Sequence, residues 1–303
     1  MTRTSPAPPP GRQGPGPIPD ALVRRLDLGP ARRSAGLLPG DHRAPGVGAG
    51  TELAQLRPYQ PGDDVRQLDP AATARTGTPH VRLQVPERLL TTWIVLDVSP
   101  SMAFGTARRL KSDLAEGAVR VVSRLALRRA GRVALLTVGD SPQRVLPPRG
   151  GRRALAAVDR LLAAGVARDR EGTGDELART LNRLAGLARR PGLIVVVSDF
   201  RDRSPWPAAL RALGTIHSLL AVEPRDPREA ELPAVGHLML VDPETGQQLE
   251  VDTDSTSLRR EYAAAEAGER LAVAERLRRA RAEHVVLSTD GRWLRELGRA
   301  LVR

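Results

Sequence analysis

The feature that most constrains this chain is a series of short, continuously apolar runs, each followed by a longer stretch with helical periodicity, starting at residue 91. TTWIVLDV, RVALLTVG, LIVVVSDF and TIHSLLAV show little polar alternation, so both faces of each strand must be covered. Between the first two, the stretch Arg108 to Ala130 puts Leu110, Leu114, Ala118, Val121, Val122 and Leu125 on one helical stripe. Buried strands alternating with amphipathic helices predict an α/β fold: a doubly wound, mostly parallel sheet with helices on both faces. Further helices are expected at about 151–164, 174–189, 208–213 and 256–281, with a short strand near Arg144–Leu146. HLMLVD and QQLEVD, joined by PETG, read as an inserted β-hairpin with Gly246 suited to positive φ. The strand HVVLS and the helix WLRELGRAL close the pattern.

Upstream of this region the composition changes. Residues 1–19 are rich in Pro and Gly with almost nothing to bury, and are expected to be a disordered tail. Residues 20–90 form an irregular N-terminal extension with a short basic helix from Ala21 to Ala35, turn clusters and a strand-like HVRLQV; they are expected to pack on the main domain, 91–303. Aromatics are only 2% of the chain, so the core must be built from Leu, Val, Ile and Ala. The net charge of +12 raises the question of nucleic acid, but Lys111 is the only lysine and the arginines are scattered among Asp and Glu without aromatic stacking partners. A solvated basic surface is the better reading, and no nucleic-acid partner is expected. Cysteine is absent, which excludes thiolate metal sites and disulfides. No apolar run approaches the roughly 20 residues of a membrane span, and the N-terminus has no apolar core of a signal peptide, so a cytoplasmic protein is expected.

In an open parallel sheet, ligands bind beyond the carboxyl ends of the strands at the point where the strand order reverses. Two of the most hydrophobic strands end in oxygen-bearing residues: TTWIVL runs into Asp97-Val98-Ser99-Pro100-Ser101, and LIVVV into Ser198-Asp199. Between them, Glu171-Gly172-Thr173-Gly174-Asp175 opens a helix. Carboxylates and hydroxyls are hard oxygen ligands suited to Mg²⁺, Mn²⁺ or Ca²⁺. Alternate residues Asp97, Ser99 and Ser101 can turn their oxygens toward one point, with Pro100 stiffening the bend. A site of this composition is expected to leave the cation under-neutralised and open to an outside ligand, an Asp or Glu carboxylate of a protein partner.

Asp97-x-Ser99-x-Ser101 followed by Thr173 and Asp199 resembles the metal-ion-dependent adhesion site of von Willebrand factor A domains. Over roughly 36–303 the chain is similar to the bacterial family called domain of unknown function 58. Motifs that carry this resemblance include LRPYQPGDDVRQLD (Leu56–Asp69), LDVSPSM (Leu96–Met102), VSDF (Val197–Phe200), DPRE (Asp226–Glu229) and DPETG (Asp242–Gly246). The resemblance implies a sheet of von Willebrand factor A type, direct metal contacts from Ser99, Ser101 and Thr173, and contacts partly through water from Asp97 and Asp199. It also implies a MoxR-type AAA+ ATPase, or its client, as partner. One departure is Asp69-Pro70, where the family usually has Asp-Trp.

Plainer roles compete for these residues. Ser and Asp after strands often cap the next helix; Asp63, Asp64 and Asp69 read as turn-forming carboxylates paired with arginines. His42, His80, His217, His237 and His284 are scattered and read as structural, as do Trp93, Trp206 and Trp293. A phosphoester hydrolase using Asp97 as nucleophile would want a second Asp where Ser99 stands, and Lys111 lies inside a predicted helix, away from any phosphate. Neither a G-x-S-x-G elbow nor a Gly-x₄-Gly-Lys loop is present. The sequence therefore favours a cation-dependent binding module over an enzyme, with a scaffold carrying an idle metal site as a further alternative.

Overall fold

The computed structural model describes residues 14–26, 52–85, 90–106, 108–128, 131–140, 142–165, 175–242 and 247–302. In chain order these form α1 (Asp20–Arg25), β1 (Glu52–Pro58), α2 (Pro70–Thr76), β2 (His80–Val85), β3 (Thr91–Asp97), α3 (Lys111–Arg128), β4 (Arg132–Val138) and β5 (Val145–Arg149). There follow α4 (Gly151–Ala163), α5 (Glu176–Leu187), β6 (Leu193–Val197), α6 (Trp206–Leu213), β7 (Ser218–Arg225), β8 (His237–Val241), β9 (Gln248–Asp252), α7 (Thr256–Arg279), β10 (Glu283–Ser288) and α8 (Trp293–Val302).

The main sheet has the order β10-β7-β6-β3-β4-β5. All its pairings are parallel except β4 with β5, which is antiparallel. This is the expected doubly wound, mostly parallel sheet. Chain order reverses between the adjacent central strands β3 and β6, so the switch point lies where Asp97 and Asp199 emerge.

The continuous apolar runs follow from this position. On β3, Ile94 and Leu96 face one core while Trp93 and Val95 face the other. The first core is filled by α3, α4 and α8; the second by α5, α6 and the end of α7. Helix α3 is buried on more than one flank, because α1, α4 and α8 pack around it. That explains why Ala115, Val119 and Ala126 are buried beside the expected stripe of Leu114, Ala118, Val121, Val122 and Leu125.

The disorder expected through residue 19 does not extend that far. Gly14 N donates to Asp113 Oδ1 at 2.9 Å, and Trp293 Nε1 donates to the Pro15 carbonyl at 3.2 Å. Buried Pro15 sits over Gly117, where a Cβ would lie 2.6 Å from the Trp293 ring and 2.9 Å from Pro15 Cβ. A proline that fills a notch loses little conformational entropy on ordering, which composition alone does not reveal. Of the expected basic helix, the described residues hold Asp20–Arg25, capped at Leu26, and the rest of its proposed span lies outside them.

Leu38–Leu89 forms a compact unit of its own, separate from the unit that holds α1 and everything from Leu90 onward. Within it, β1 and β2 pair antiparallel with an irregularity between Leu53 and Gln55. Neither β1 nor α2 is expected from the pattern, because ELAQLRP lacks clean alternation. The start of α2 is nonetheless written in Asp69-Pro70: Asp69 Oδ1 accepts from Ala72 N at 2.9 Å and Pro70 takes the first turn. The other acidic residues of this stretch also hold backbone. Asp63 accepts from both terminal nitrogens of Arg57 (2.8 and 2.6 Å), and Asp64 accepts from Arg66 N. The inserted hairpin forms as β8 and β9, closed by Asp242 N to the Gln247 carbonyl at 2.9 Å; its turn with Gly246 lies outside the described residues. Trp93, Trp206 and Trp293 are all buried in the cores. Among the described residues, no helix is long and apolar enough to cross a membrane.

Candidate functional site

Beyond the end of β3, the chain turns sharply through Val98 and Ser99 into a short 3₁₀ segment, Pro100–Ala103. Asp97 fixes this turn: its Oδ1 accepts from Ser99 N at 2.9 Å. Its Oδ2 accepts from Ser198 Oγ at 2.6 Å, which ties the end of β3 to the end of β6. Ser99 Oγ and Ser101 Oγ lie 3.1 Å apart. Gly139, just past β4, has φ +83°, and a Cβ there would stand 2.7 Å from both Ser99 N and Ser99 Cα. Only glycine lets β4 end this close to the Ser99 turn.

The β6 end is shaped by a second tight turn. Phe200 adopts φ 57°, which costs an L-residue about 1 kcal/mol or more. Its ring packs against Trp206 with centroids 5.2 Å apart, and its N donates to Ser198 Oγ at 3.0 Å. Both contacts hold the backbone in that conformation and keep Asp199 at the sheet edge. Asp202 and Ser204 then reach the start of α5, accepting from Leu177 N (2.9 Å) and Ala178 N (3.2 Å). The loop carrying Thr173 lies outside the described residues. The structure thus brings Asp97, Ser99, Ser101 and Asp199 to one edge and leaves Thr173 undescribed.

Electrostatically the site is unusual. Asp97 is buried, and burial followed by the charge of Asp199 pushes its carboxyl up to about 7, despite the Ser198 and Ser99 hydrogen bonds that oppose this. Asp199 goes the other way. Burial would raise it, but Lys111 outweighs burial: its Nζ donates to Asp199 Oδ2 at 2.7 Å and holds the carboxyl below its ordinary range. The same ammonium donates to Glu229 Oε1 at 2.7 Å. Lys111 is completely buried; burial alone would lower its pKa, yet the two carboxylates raise it, so it is a permanent cation.

Glu229 is in turn part of a capping box with Asp226, whose N donates to Glu229 Oε2 at 3.0 Å. Asp226, fully buried, accepts from Thr106 N (2.8 Å), Thr106 Oγ1 (2.6 Å), Thr289 Oγ1 (2.6 Å) and Arg228 N (2.9 Å). One polar network therefore links the ends of β3, β6, β7 and β10. Among the described residues, no three His, Asp or Glu side chains converge as a metal cluster, so any cation here would depend on the serine hydroxyls.

A family model described as "Protein of unknown function DUF58" matches residues 55–272. The chain belongs to this family. Among relatives of this DUF58 protein is an uncharacterized protein of Mycobacterium tuberculosis, 38% identical over 279 residues that cover 92% of this chain and 87% of the relative. Solved structures with some likeness include the conserved hypothetical protein BatB from Bacteroides thetaiotaomicron (TM-score 0.45, 14% identity, 70% of this chain and 97% of that one). Another is the SpRpn10 VWA domain (TM-score 0.38, 14% identity, 69% and 93%).

Four of the DUF58 protein's site residues escape a reading by spacing. Ser198 looks like a spectator to Asp199, yet it is the bridge to Asp97. Glu229 and Asp226 are visible only as the motif DPRE. Lys111, set aside in the sequence as a helix residue, is the first residue of α3 and reaches the sheet edge. Lys111 lies in a helix as expected, but at its first position, where two carboxylates hold it at the sheet edge. Of the histidines, His284 Nε2 lies 2.7 Å from Glu223 Oε2, and buried His217 is held below its ordinary pKa by desolvation; neither joins the Asp97 cluster.

Proposed function

We propose that this protein is a divalent-cation-dependent protein-binding adaptor that captures an acidic side chain of its partner at the edge formed by Asp97, Ser99 and Ser101. The observation that carries this reading is the pairing of a buried, cation-deficient carboxyl with two hydroxyls 3.1 Å apart. Neighbouring oxygens in an octahedral Mg²⁺ shell with bonds of 2.0–2.1 Å are about 3 Å apart, so the donor set fits a small hard cation. Asp97, Ser99 and Ser101 would hold the ion, with Thr173 and Asp199 in the roles the family resemblance implies. Bound there, Mg²⁺ (or Mn²⁺ or Ca²⁺) would supply a Lewis-acidic anchor for a carboxylate. The protein's own contribution is positioning. Ser198 and Ser99 N orient Asp97, and Gly139 and Phe200 set the two turns.

The family resemblance suggests the partner class: a MoxR-type AAA+ ATPase or its client, with the adaptor serving as an assembly or chaperone-like partner in the cytoplasm. Affinity purification of wild type and Asp97→Ala in Mg²⁺ tests this. The ATPase should be retained by wild type, and lost on chelation and in the variant. Equal recovery in chelator would sink the cation-dependent reading and leave a scaffold with an idle site.

One observation favours a second reading, a metal-dependent phosphoester hydrolase: Lys111 does reach the strand edge. It is a poor phosphate ligand, however, being fully buried with its ammonium held by two carboxylates. Asp97 is likewise a poor nucleophile, with each oxygen already accepting a hydrogen bond. Mg²⁺-dependent turnover of p-nitrophenyl phosphate that disappears in Asp97→Asn would reverse this preference.

A further inference from the structure

The strongest unexplained group in the molecule is the Lys111 ammonium. A fully buried lysine is expensive unless paired, and this one spans Asp199 of the β6 end and Glu229 of the turn after β7, 88 and 118 residues away. Formally, Asp97 and Asp199 together would balance a divalent cation without help from a partner. Lys111 changes that count: in the ion-pair cluster it anchors, Lys111, Arg201 and Arg270 match Asp199, Glu229 and Glu266, which leaves Asp97 alone. Its position is not adjustable: the stem starts at the first residue of α3, and the backbone there is pinned by Lys111 N to the Phe104 carbonyl at 2.9 Å. Glu229 is pinned by its own capping box and by Tyr262, whose hydroxyl donates to the Glu229 carbonyl at 3.1 Å.

We propose that Lys111 is a tethered counter-ion that sets the cation affinity of the site: by occupying Asp199, it leaves Asp97 as the one uncompensated carboxylate and keeps positive charge available for a partner's acid. This rests on the cation-dependent reading above and gives it a cause. The residual charge that recruits a carboxylate comes from the lysine, not from a shortage of acidic residues. Two consequences follow. Divalent ions bind weakly to the free protein, and ion and acidic partner bind with positive cooperativity, since the partner supplies the charge that Lys111 withholds.

The test is Mn²⁺ binding to the full chain, measured by calorimetry and by the electron paramagnetic resonance of free Mn²⁺. The variants are Lys111→Met, Glu229→Gln and the double variant Lys111→Met/Glu229→Gln. Lys111→Met should bind Mn²⁺ at least tenfold more tightly than wild type. Glu229→Gln, which leaves the ammonium on Asp199, should show no tightening. The double variant has the formal charge of wild type but a freed Asp199, and should also bind at least tenfold more tightly. It removes an acid together with the ammonium, so it serves as the measurement if Lys111→Met fails to fold. Wild type that binds Mn²⁺ with no tightening in either lysine variant overturns the counter-ion role and leaves the adhesion-type site standing. No Mn²⁺ binding by wild type or any variant overturns both. Binding by the lysine variants but not by wild type supports the counter-ion role and overturns cation dependence for the natural protein.

Discussion

Asp97→Asn offers the sharpest check on the electrostatics of the sheet edge. In the folded chain the Asp97 carboxyl is raised from its ordinary 3.8 to about 7, by burial and then by Asp199. A raised carboxyl means that, between about pH 4 and pH 7, the folded state holds a proton the unfolded chain has released. Stability therefore falls as pH rises through that window, and the full penalty is present above pH 7. At ~1.36 kcal/mol per pKa unit, the move from 3.8 to about 7 corresponds to ~4 kcal/mol. Asparagine removes the charge and keeps the shape: its carbonyl can accept from Ser99 N, and its amide can donate to Ser198 Oγ. An imperfect replacement of two hydrogen bonds costs ~1 kcal/mol. In chelator at pH 8 the variant should thus exceed wild type by ~3 kcal/mol, a midpoint rise of roughly 6–12 °C for a unit of this size.

The advantage should shrink to within ~1 kcal/mol by pH 5, where the wild-type carboxyl is largely protonated in the folded state. Carboxylates held low by their partners, such as Asp199 and Asp226, behave in the opposite sense and lose stabilisation as pH falls. Asp226 is common to both proteins and cancels in the difference, whereas Asp199, relieved of the Asp97 charge in the variant, is held at least as low there. Millimolar Mg²⁺ should stabilise wild type at pH 8 and leave Asp97→Asn unmoved, because ligand binding to the folded state adds stability by mass action. Thermal and urea unfolding of both proteins across pH 4–8 measure all of this. A difference that is independent of pH, or an Asp97→Asn protein less stable than wild type at pH 8, would refute the burial-driven shift.

Other parts of the structure make separate demands. Gly139→Ala forces a side chain into a φ of +83° and to within 2.7 Å of the Ser99 backbone; it should cost ~1–3 kcal/mol in denaturant unfolding and weaken Mn²⁺ binding together with stability. Asp226→Ala strands the donors of Thr106, Thr289 and Arg228 in a buried setting, and a loss of ~3 kcal/mol or more is expected by the same measurement, with Asp226→Asn intermediate. Gly117→Leu drives a side chain into Trp293 and Pro15; faster hydrogen exchange of the Gly14 amide and a red shift of the tryptophan emission should report displacement of residues 14–19, the N-terminal strap. Unchanged protection there would show that the strap is held by something other than this notch.

What was legible in the sequence divides along the range of the interactions. The central strands could be read because burial on both faces leaves a local signature, an unbroken run such as Leu193–Val197. The carboxylates at the strand ends followed from a topological rule that needs only the order of strands. In contrast, β1 gains its conformation from pairing with β2, a tertiary effect that its own residues hardly announce. Lys111 is the instructive failure. A lone lysine at the first turn of a helix looks like a solvated charge, and its role depends on Asp199 and Glu229, which only the folded sheet brings to it. Yet Lys111 is the only lysine among the 47 Lys and Arg residues of the chain. Lysine places a compact ammonium 2.7 Å from each of two carboxylates, where arginine would bring a larger planar fork, so charge and size are two separate grounds for lysine at position 111. A Lys111→Arg variant separates the two ideas: if charge alone matters it should fold and bind Mn²⁺ as wild type does, whereas if the gap admits only an ammonium it should lose stability by ~2 kcal/mol or more through overpacking. Retention of full stability would mean that the pocket around Asp199 is looser than its hydrogen-bond distances imply.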